Sequence, residues 1–167
     1  MSMISLRDAT VKDASTIYQW KTDPFLRKMA LDESYQTTEE EQEEDIDRAV
    51  GSEDAEYKII LLKQQPIGYI RIDYMDEHNE MAWLRFALGK ERGKGYGKIA
   101  LQMYIDDLFS RGVKRIEGEV YEYNERSQKL LESVGFVKEG QKRQAHLYHK
   151  QYCDILVYGL LHEDYVT

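Results

Sequence analysis

Residues 55–88 carry three strand-like runs in immediate succession, "AEYKIILL", "PIGYIRIDYM" and "EMAWLRFAL". The loops between them are too short for a parallel crossover, so the runs are expected to pair as antiparallel neighbours. The third run leads directly into "GKERGKGYGK". A long amphipathic segment follows, with Leu101, Ile105 and Leu108 at ordinary core spacing for a helix. The middle of the chain alone therefore demands a sheet with a helix returning across it.

The flanks extend the pattern. "MISLRDAT" alternates as a strand, and "KDASTIYQWKTD" has helical spacing up to Pro24. "TTEEEQEEDIDRAV" reads as a helix with Thr38 and Glu41 as a capping box and Gly51 as its stop. Beyond the middle come a strand, "RIEGEVYEY", a helix, "ERSQKLLESV", closed by Gly135, and two final strands, "FVKEGQKRQAHLYH" and "YCDILVYGLL". No repeat or linker interrupts them, so residues 1–167 are expected to form one domain of α/β (α+β) class. Its sheet should be mixed but mostly antiparallel, with about six to seven strands flanked by about four helices.

The net charge of −8 is unevenly placed. Residues 32–56 hold twelve acids against Arg48 alone, whereas residues 90–98 hold Lys90, Arg92, Lys94 and Lys98 against Glu91. So small a basic island argues against a nucleic-acid partner, which needs a broad basic face. The single cysteine, Cys153, forbids an intrachain disulfide, and no apolar run reaches signal-peptide or membrane-span length. A soluble, cytoplasmic protein with no membrane partner is expected. His146, His149 and Cys153 match no zinc spacing, so no metal is expected either.

Gly93, Gly95 and Gly97 stand at the turn from strand to helix. Unpaired amides and the helix dipole favour an anion there, glycine lets it approach the backbone, and Arg92, Lys94 and Lys98 add charge. The spacing is neither G-x-x-x-x-G-K-[ST] nor G-x-G-x-x-G, and a tight turn with solvated lysines would also satisfy it.

Arg92-x-x-Gly95-x-Gly97, then Asn124-x-x-Ser127, then Gly135-Phe136 resembles the motif series of the GNAT superfamily of acyl-CoA-dependent N-acetyltransferases. The opening "LRDATVKDASTIYQWKTDP" and the closing "GFVKEGQKRQAHLYHKQYCDILVYGLL" are similar to one branch of it. That branch acetylates ribosomal-protein N-termini, polyamines, aminoglycosides and amino sugars. The resemblance implies a GNAT-like fold and acetyl-CoA as co-substrate. The amides of Gly93, Lys94, Gly95, Tyr96, Gly97 and Lys98 would cradle the pyrophosphate, with Arg92 adding charge. Main-chain groups of Phe86, Ala87 and Leu88 would hold the pantetheine arm as an added strand, and Asn124 and Ser127 would line that arm or the leaving thiol. Asn124 also suits a plain helix cap.

By the same resemblance Glu119, five residues before Asn124, is the candidate general base, with Glu117 and Glu80 as competitors. The family's general-acid tyrosine falls where this chain has Leu131. Ser127, Tyr121, Tyr123 or a water must then protonate the thiolate, or it leaves unaided. The expected activity is acetyl transfer from acetyl-CoA to a primary amine by direct attack in a ternary complex. The alternative is an acyl-CoA-binding or regulatory protein with lost catalysis, and Leu131 is its only support. The acceptor, a small-molecule amine or a protein N-terminus, is expected to be cationic, because Asp32 and Glu33 lie in a loop expected to face the cleft. A homodimer is compatible with this reading.

Overall fold

The computed structural model describes residues 3–31 and 35–165. Its strands are β1 (Ile4–Asp8), β2 (Ala55–Leu62), β3 (Gln65–Tyr74), β4 (Met81–Leu88), β5 (Arg115–Tyr121), β6 (Val137–Tyr148) and β7 (Gln151–Leu161). They form one sheet in the order β1-β2-β3-β4-β5-β7-β6, antiparallel throughout except for β4 and β5. The helices are α1 (Ala14–Thr22), α2 (Pro24–Ala30), α3 (Glu39–Val50), α4 (Tyr96–Ser110), α5 (Glu125–Val134) and α6 (His162–Tyr165).

Two of these helices, α2 and α6, are not apparent from periodicity. Pro24 closes one helix and opens the next. Asp23 caps α2 by accepting from the Phe25 amide at 3.3 Å, and Pro24 takes the first helical position, where its missing N–H costs nothing. At α3 only half of the capping box forms. Thr38 Oγ1 accepts from the Glu41 amide at 3.1 Å, but the Glu41 carboxylate faces the Thr37 hydroxyl instead of the Thr38 amide.

Alternation along the strands supplies a hydrophobic core to each face of the sheet. Ile70, Ile72, Leu84 and Ile116 pack with Leu101, Ile105 and Leu108 of α4. On the opposite face Tyr57, Ile59 and Tyr69 pack with Ile17 and Trp20 of α1 and Ile46 of α3.

The parallel pair is very short. Met81, Ala82 and Trp83 register with Arg115, Ile116 and Glu117, and there the pairing stops. Each strand stays with its outer neighbour instead, β4 with β3 as far as Leu88 and β5 with β7 as far as Tyr121. A wedge-shaped gap opens between them. Helix α2 sits over this gap, held by its own carbonyls. Tyr123 Oη donates to Lys28 O at 2.6 Å, Asn124 Nδ2 to Met29 O at 3.1 Å, and Tyr121 Oη to Leu31 O at 2.9 Å. The end of a helix leaves such carbonyls without internal partners, and here residues from the end of β5 supply them.

Away from the gap, Glu56 of β2 joins three elements. It accepts from Tyr74 Oη at 2.8 Å, from Tyr104 Oη at 2.7 Å, and from both terminal nitrogens of Arg111 at 2.7 and 2.9 Å. Burial alone would raise its pKa, but the bonds from Arg111, Tyr104 and Tyr74 bring it down to about 2. Its stabilising contribution is therefore complete above its ordinary value of 4.5 and lost as pH falls towards 2. Glu56→Gln is expected to cost about 1–2 kcal/mol at neutral pH, discounted for partial exposure. Urea denaturation should show this difference from wild type shrinking once the pH drops below about 4.5.

Candidate active site

Helix α4 begins at Gly95, whose φ of +85° follows +79° at Gly93. A Cβ at either position would meet nothing within 4 Å, so the left-handed backbone, and not crowding, selects glycine there. The amides of Tyr96, Gly97 and Lys98 have no intrahelical acceptor, and no acid stands in the first turn to take them up. Helix α3 is the contrast, with Glu39, Glu40 and Glu41 in its first turn. One helix start is neutralised by its own carboxylates, and the other suits an external anion.

The basic residues divide their work. Arg92 donates from Nε to Leu88 O at 2.8 Å, pairs with Asp23 at 2.8 Å, and covers the Phe25 ring at 4.6 Å. It fastens the glycine loop to the start of α2. Lys94 pairs with Glu91. Lys98 lines a groove of about 350 Å³, together with Phe25, Leu26, Phe86, Leu88 and Leu130. Arg126 lines it from α5. Arg126 lies inside the Asn124-x-x-Ser127 motif, at a position the motif leaves free, so nothing in the sequence marks it out.

The groove runs along an open strand edge. Met81 O accepts from Met75 N on the β3 side, whereas Glu80 O accepts from Arg115 N on the β5 side. Backbone direction alternates along a strand, so Leu84, Phe86 and Leu88 turn their N–H and C=O groups towards the gap that β5 has left. Arg92 takes Leu88 O, and Ala87 faces Tyr69 in the β3 ladder. The N–H of Leu84 belongs to the last rung with β5, so Leu84 O and both main-chain groups of Phe86 remain as an edge that an extended, amide-bearing arm could complete like an added strand.

A second cavity, of about 150 Å³, meets the groove where the strands part, and Phe86, Asn124, Ser127, Met29 and Ala30 line both. Asn124 is buried with both ends of its amide engaged, Nδ2 on Met29 O and Oδ1 accepting from the Ser127 amide at 3.2 Å. It caps α5 and joins it to α2. Glu119 lines the cavity from β5, its Oε2 accepting from Lys142 Nζ at 2.6 Å. Glu117 and Glu80 do not line it: Glu117 pairs with Arg115 at 3.0 Å, and Glu80 sits just before β4 with Lys114 at 3.3 Å. Tyr121 and Tyr123 do not line it either, their hydroxyls being bound to α2. Leu131 is 3% exposed, packs into the core and lines the cavity with its side chain. His146 stacks on Tyr121 at 3.8 Å, and no cluster able to hold a metal occurs among the described residues.

Asp32 and Glu33 lie outside the described residues. Of the other acids between 32 and 56, only Asp45 lines the cavity, and it is bound to Arg71 at 2.6 Å. Arg71 and Arg85 both pair with Asp73, at 3.2 and 2.8 Å. Lys21 is different. It is 9% exposed, its hydrogen-bond partner among the described residues is Tyr35 Oη at 3.5 Å, and the Tyr35 and Tyr69 rings flank it at 5.7 and 5.5 Å. Burial, reinforced by the like charges of Arg85 and Arg71 and opposed by Asp45, lowers its pKa to about 8.

A helix start suited to phosphate, an open edge for an amide-bearing arm and a polar cavity at the end of both are the parts of an acyl-CoA-dependent N-acyltransferase. Residues 4–137 match the acetyltransferase (GNAT) domain, and the chain belongs to that family. It is 29% identical over 170 aligned positions to the uncharacterized N-acetyltransferase p20 of Bacillus licheniformis, covering 97% of this chain and 94% of that one. Spermidine N-acetyltransferase from Vibrio cholerae, solved with CoA and spermine, has the same fold. Its TM-score is 0.89 at 20% identity, with 99% of both chains covered. So has RimL, a ribosomal L7/L12 α-N-protein acetyltransferase solved with coenzyme A, at a TM-score of 0.84 and 21% identity over 95% and 93% of the two chains.

Aspartate is one of the few side chains that tolerate the left-handed region, so Gly95→Asp should fold. Its carboxylate would stand at the helix start, and calorimetric CoA affinity should fall at least about tenfold by repulsion. Unchanged affinity in the folded variant would remove the phosphate site. Lys21 supplies a second prediction. Its folded pKa of about 8 lies below its ordinary 10.5, so its charge burdens the fold below pH 8 and is relieved as pH rises towards 10.5. Lys21→Met should stabilise the ligand-free protein by about 1–3 kcal/mol at pH 7, with a gain that shrinks above pH 8 in thermal melts.

Proposed function

We propose that the enzyme transfers the acetyl group of acetyl-CoA to a primary amine within a ternary complex, with Glu119 accepting the amine proton. The observation that carries this reading is the gap between β4 and β5, where the open edge of β4, Glu119 and Ser127 border one space. Bound acetyl-CoA supplies the thioester carbonyl. The N–H group of Phe86 points into the gap and is the main-chain donor available to an oxyanion, fixed in place by the β3 ladder, whereas that of Leu84 is taken by the last rung with β5.

The amine sets the need for a base. An α-amino group with pKa near 8 is about one-tenth neutral at pH 7, whereas an alkyl ammonium near 10.4 is neutral in less than about one part in a thousand. Deprotonation costs about 1.4 or about 5 kcal/mol respectively. Glu119 is the carboxylate for that proton, because of the three candidates it alone lines the cavity; all three are ion-paired, Glu119 with Lys142, Glu117 with Arg115 and Glu80 with Lys114. Ser127 borders both cavities and is the hydroxyl suited to return a proton to the thiolate, since Leu131 has none to give. The spermidine enzyme and RimL are named for primary-amine acceptors, the class proposed here. A cationic acceptor would rest on Asp32 and Glu33, and the charges lining the described part of the cavity favour a different choice.

Glu119→Gln keeps the shape of the side chain and removes its capacity as a base. Turnover, followed by release of free thiol, should fall about 10²-fold with CoA affinity unchanged, and the loss should narrow as pH rises and the ammonium loses its proton unaided. A loss below about threefold at every pH would take the proton from Glu119 and give it to solvent.

A further inference from the structure

Lys21 has no role in the transfer chemistry, yet its ammonium is buried against the acceptor cavity without a carboxylate within 4 Å among the described residues. Burying a charge without a counterion is costly, and a protein ordinarily pairs or loses it. The other charges nearby are already matched. Asp45 and Asp73 between them take up Arg71 and Arg85, and Lys142 takes up Glu119. Counted this way among the described residues, the cavity wall formed by α1, β3 and β4 has one positive charge in excess, and it is Lys21. Arg85, stacked on Trp83 at 4.8 Å and bound to Asp73 by one nitrogen, leaves further donors on the same wall. An acceptor whose only charges are positive would be repelled here. An acceptor with a carboxylate would complete the pair that the described residues leave open.

We propose that the acceptor is an amine that also carries a carboxylate, and that Lys21, with Arg85 beside it, binds that carboxylate while the amino group turns to the gap between β4 and β5. This rests on the N-acetyltransferase reading and narrows its substrate class. Lys21 is a specificity-determining residue in this proposal. It touches the acceptor at a distance from the reacting atoms, so its removal should appear in acceptor KM and in discrimination, with little change in kcat. The depressed pKa of Lys21 agrees with this arrangement, because a bound carboxylate restores the stabilisation that burial removed.

The test is a panel of amines assayed by thiol release from acetyl-CoA. It contains free amino acids with the carboxylate at increasing distance from the amine, short peptides with an acidic second residue, the matching carboxamides, and polyamines. The wild-type enzyme should prefer a carboxylate-bearing amine to its carboxamide by at least about tenfold in kcat/KM. The free amino acids and the peptides distinguish the two sources of such a carboxylate. In Lys21→Met the preference should fall to within about threefold, through KM, with CoA affinity unchanged, and Lys21→Arg should restore part of it. Should Lys21→Met fail to fold, the wild-type acid-to-amide ratio decides alone. Polyamines as the best substrates, or an acid-to-amide ratio that Lys21→Met leaves unaltered, would overturn the proposal while the acetyltransferase reading stands. No thiol release with any amine would overturn both.

Discussion

The parting of β4 from β5 governs the rest of the molecule. Two parallel strands that paired along their full length would leave a closed sheet, with every main-chain group of β4 spoken for. Here the pairing ends at Trp83 and Glu117, while each strand continues with its antiparallel neighbour on the other side. An unpaired edge inside a sheet is costly unless something satisfies it. That cost explains why the surroundings of the gap are so firmly held. Arg92 ties the glycine loop to α2, Asn124 ties α2 to α5, and Tyr121 and Tyr123 tie α2 to the end of β5. The wall is rigid on both sides of an opening kept for a substrate.

Electrostatics divides the opening in two. Along the groove the polar groups are backbone amides at a helix start, with Lys98 and Arg126 nearby. In the described part of the cavity they are neutral groups such as those of Tyr35, Asn124 and Ser127 together with ionised side chains, all of them ion-paired except Lys21. The Asp45–Arg71–Asp73–Arg85 chain spans α3, β3 and β4, and its members cancel. A self-satisfied network of this kind holds geometry without attracting ligands. That is why one lysine of no sequence distinction carries so much of the cavity's net character.

Much of this was open to reading from the chain. The run "AEYKIILL" coincides with β2 and "ERSQKLLESV" with α5, because alternation and caps are local properties that burial only reinforces. The family resemblance singled out the glycine turn, Asn124 and Glu119, and all of them line the groove or the cavity it meets. Helix α2 was not, since seven residues are too few to display a period and its hold comes from side chains some ninety residues away. Lys21 was equally hidden. In sequence it is a lysine at the end of an amphipathic helix, where a solvated charge is the rule. Only the arrival of Tyr35 and Tyr69 over it makes it a buried one. Of the acids between 32 and 56, α3 turns Glu39, Glu40 and Glu41 to solvent at its first turn, as a solvated helix start requires, and brings Asp45 to the cavity; Asp32 and Glu33 lie outside the described residues.

The roof over the gap hangs by its main chain. Tyr121, Tyr123 and Asn124 grip the carbonyls of Leu31, Lys28 and Met29, and a carbonyl is present whatever side chain a residue bears. Met29, Ala30 and Leu31 also line the cavity, so the residues that shape the acceptor's surroundings are the ones whose identity the suspension ignores. Descendants of such a chain can exchange these three side chains singly and acquire a new clientele, without dismantling the frame that performs the transfer. A fold hung in this way is built to diversify.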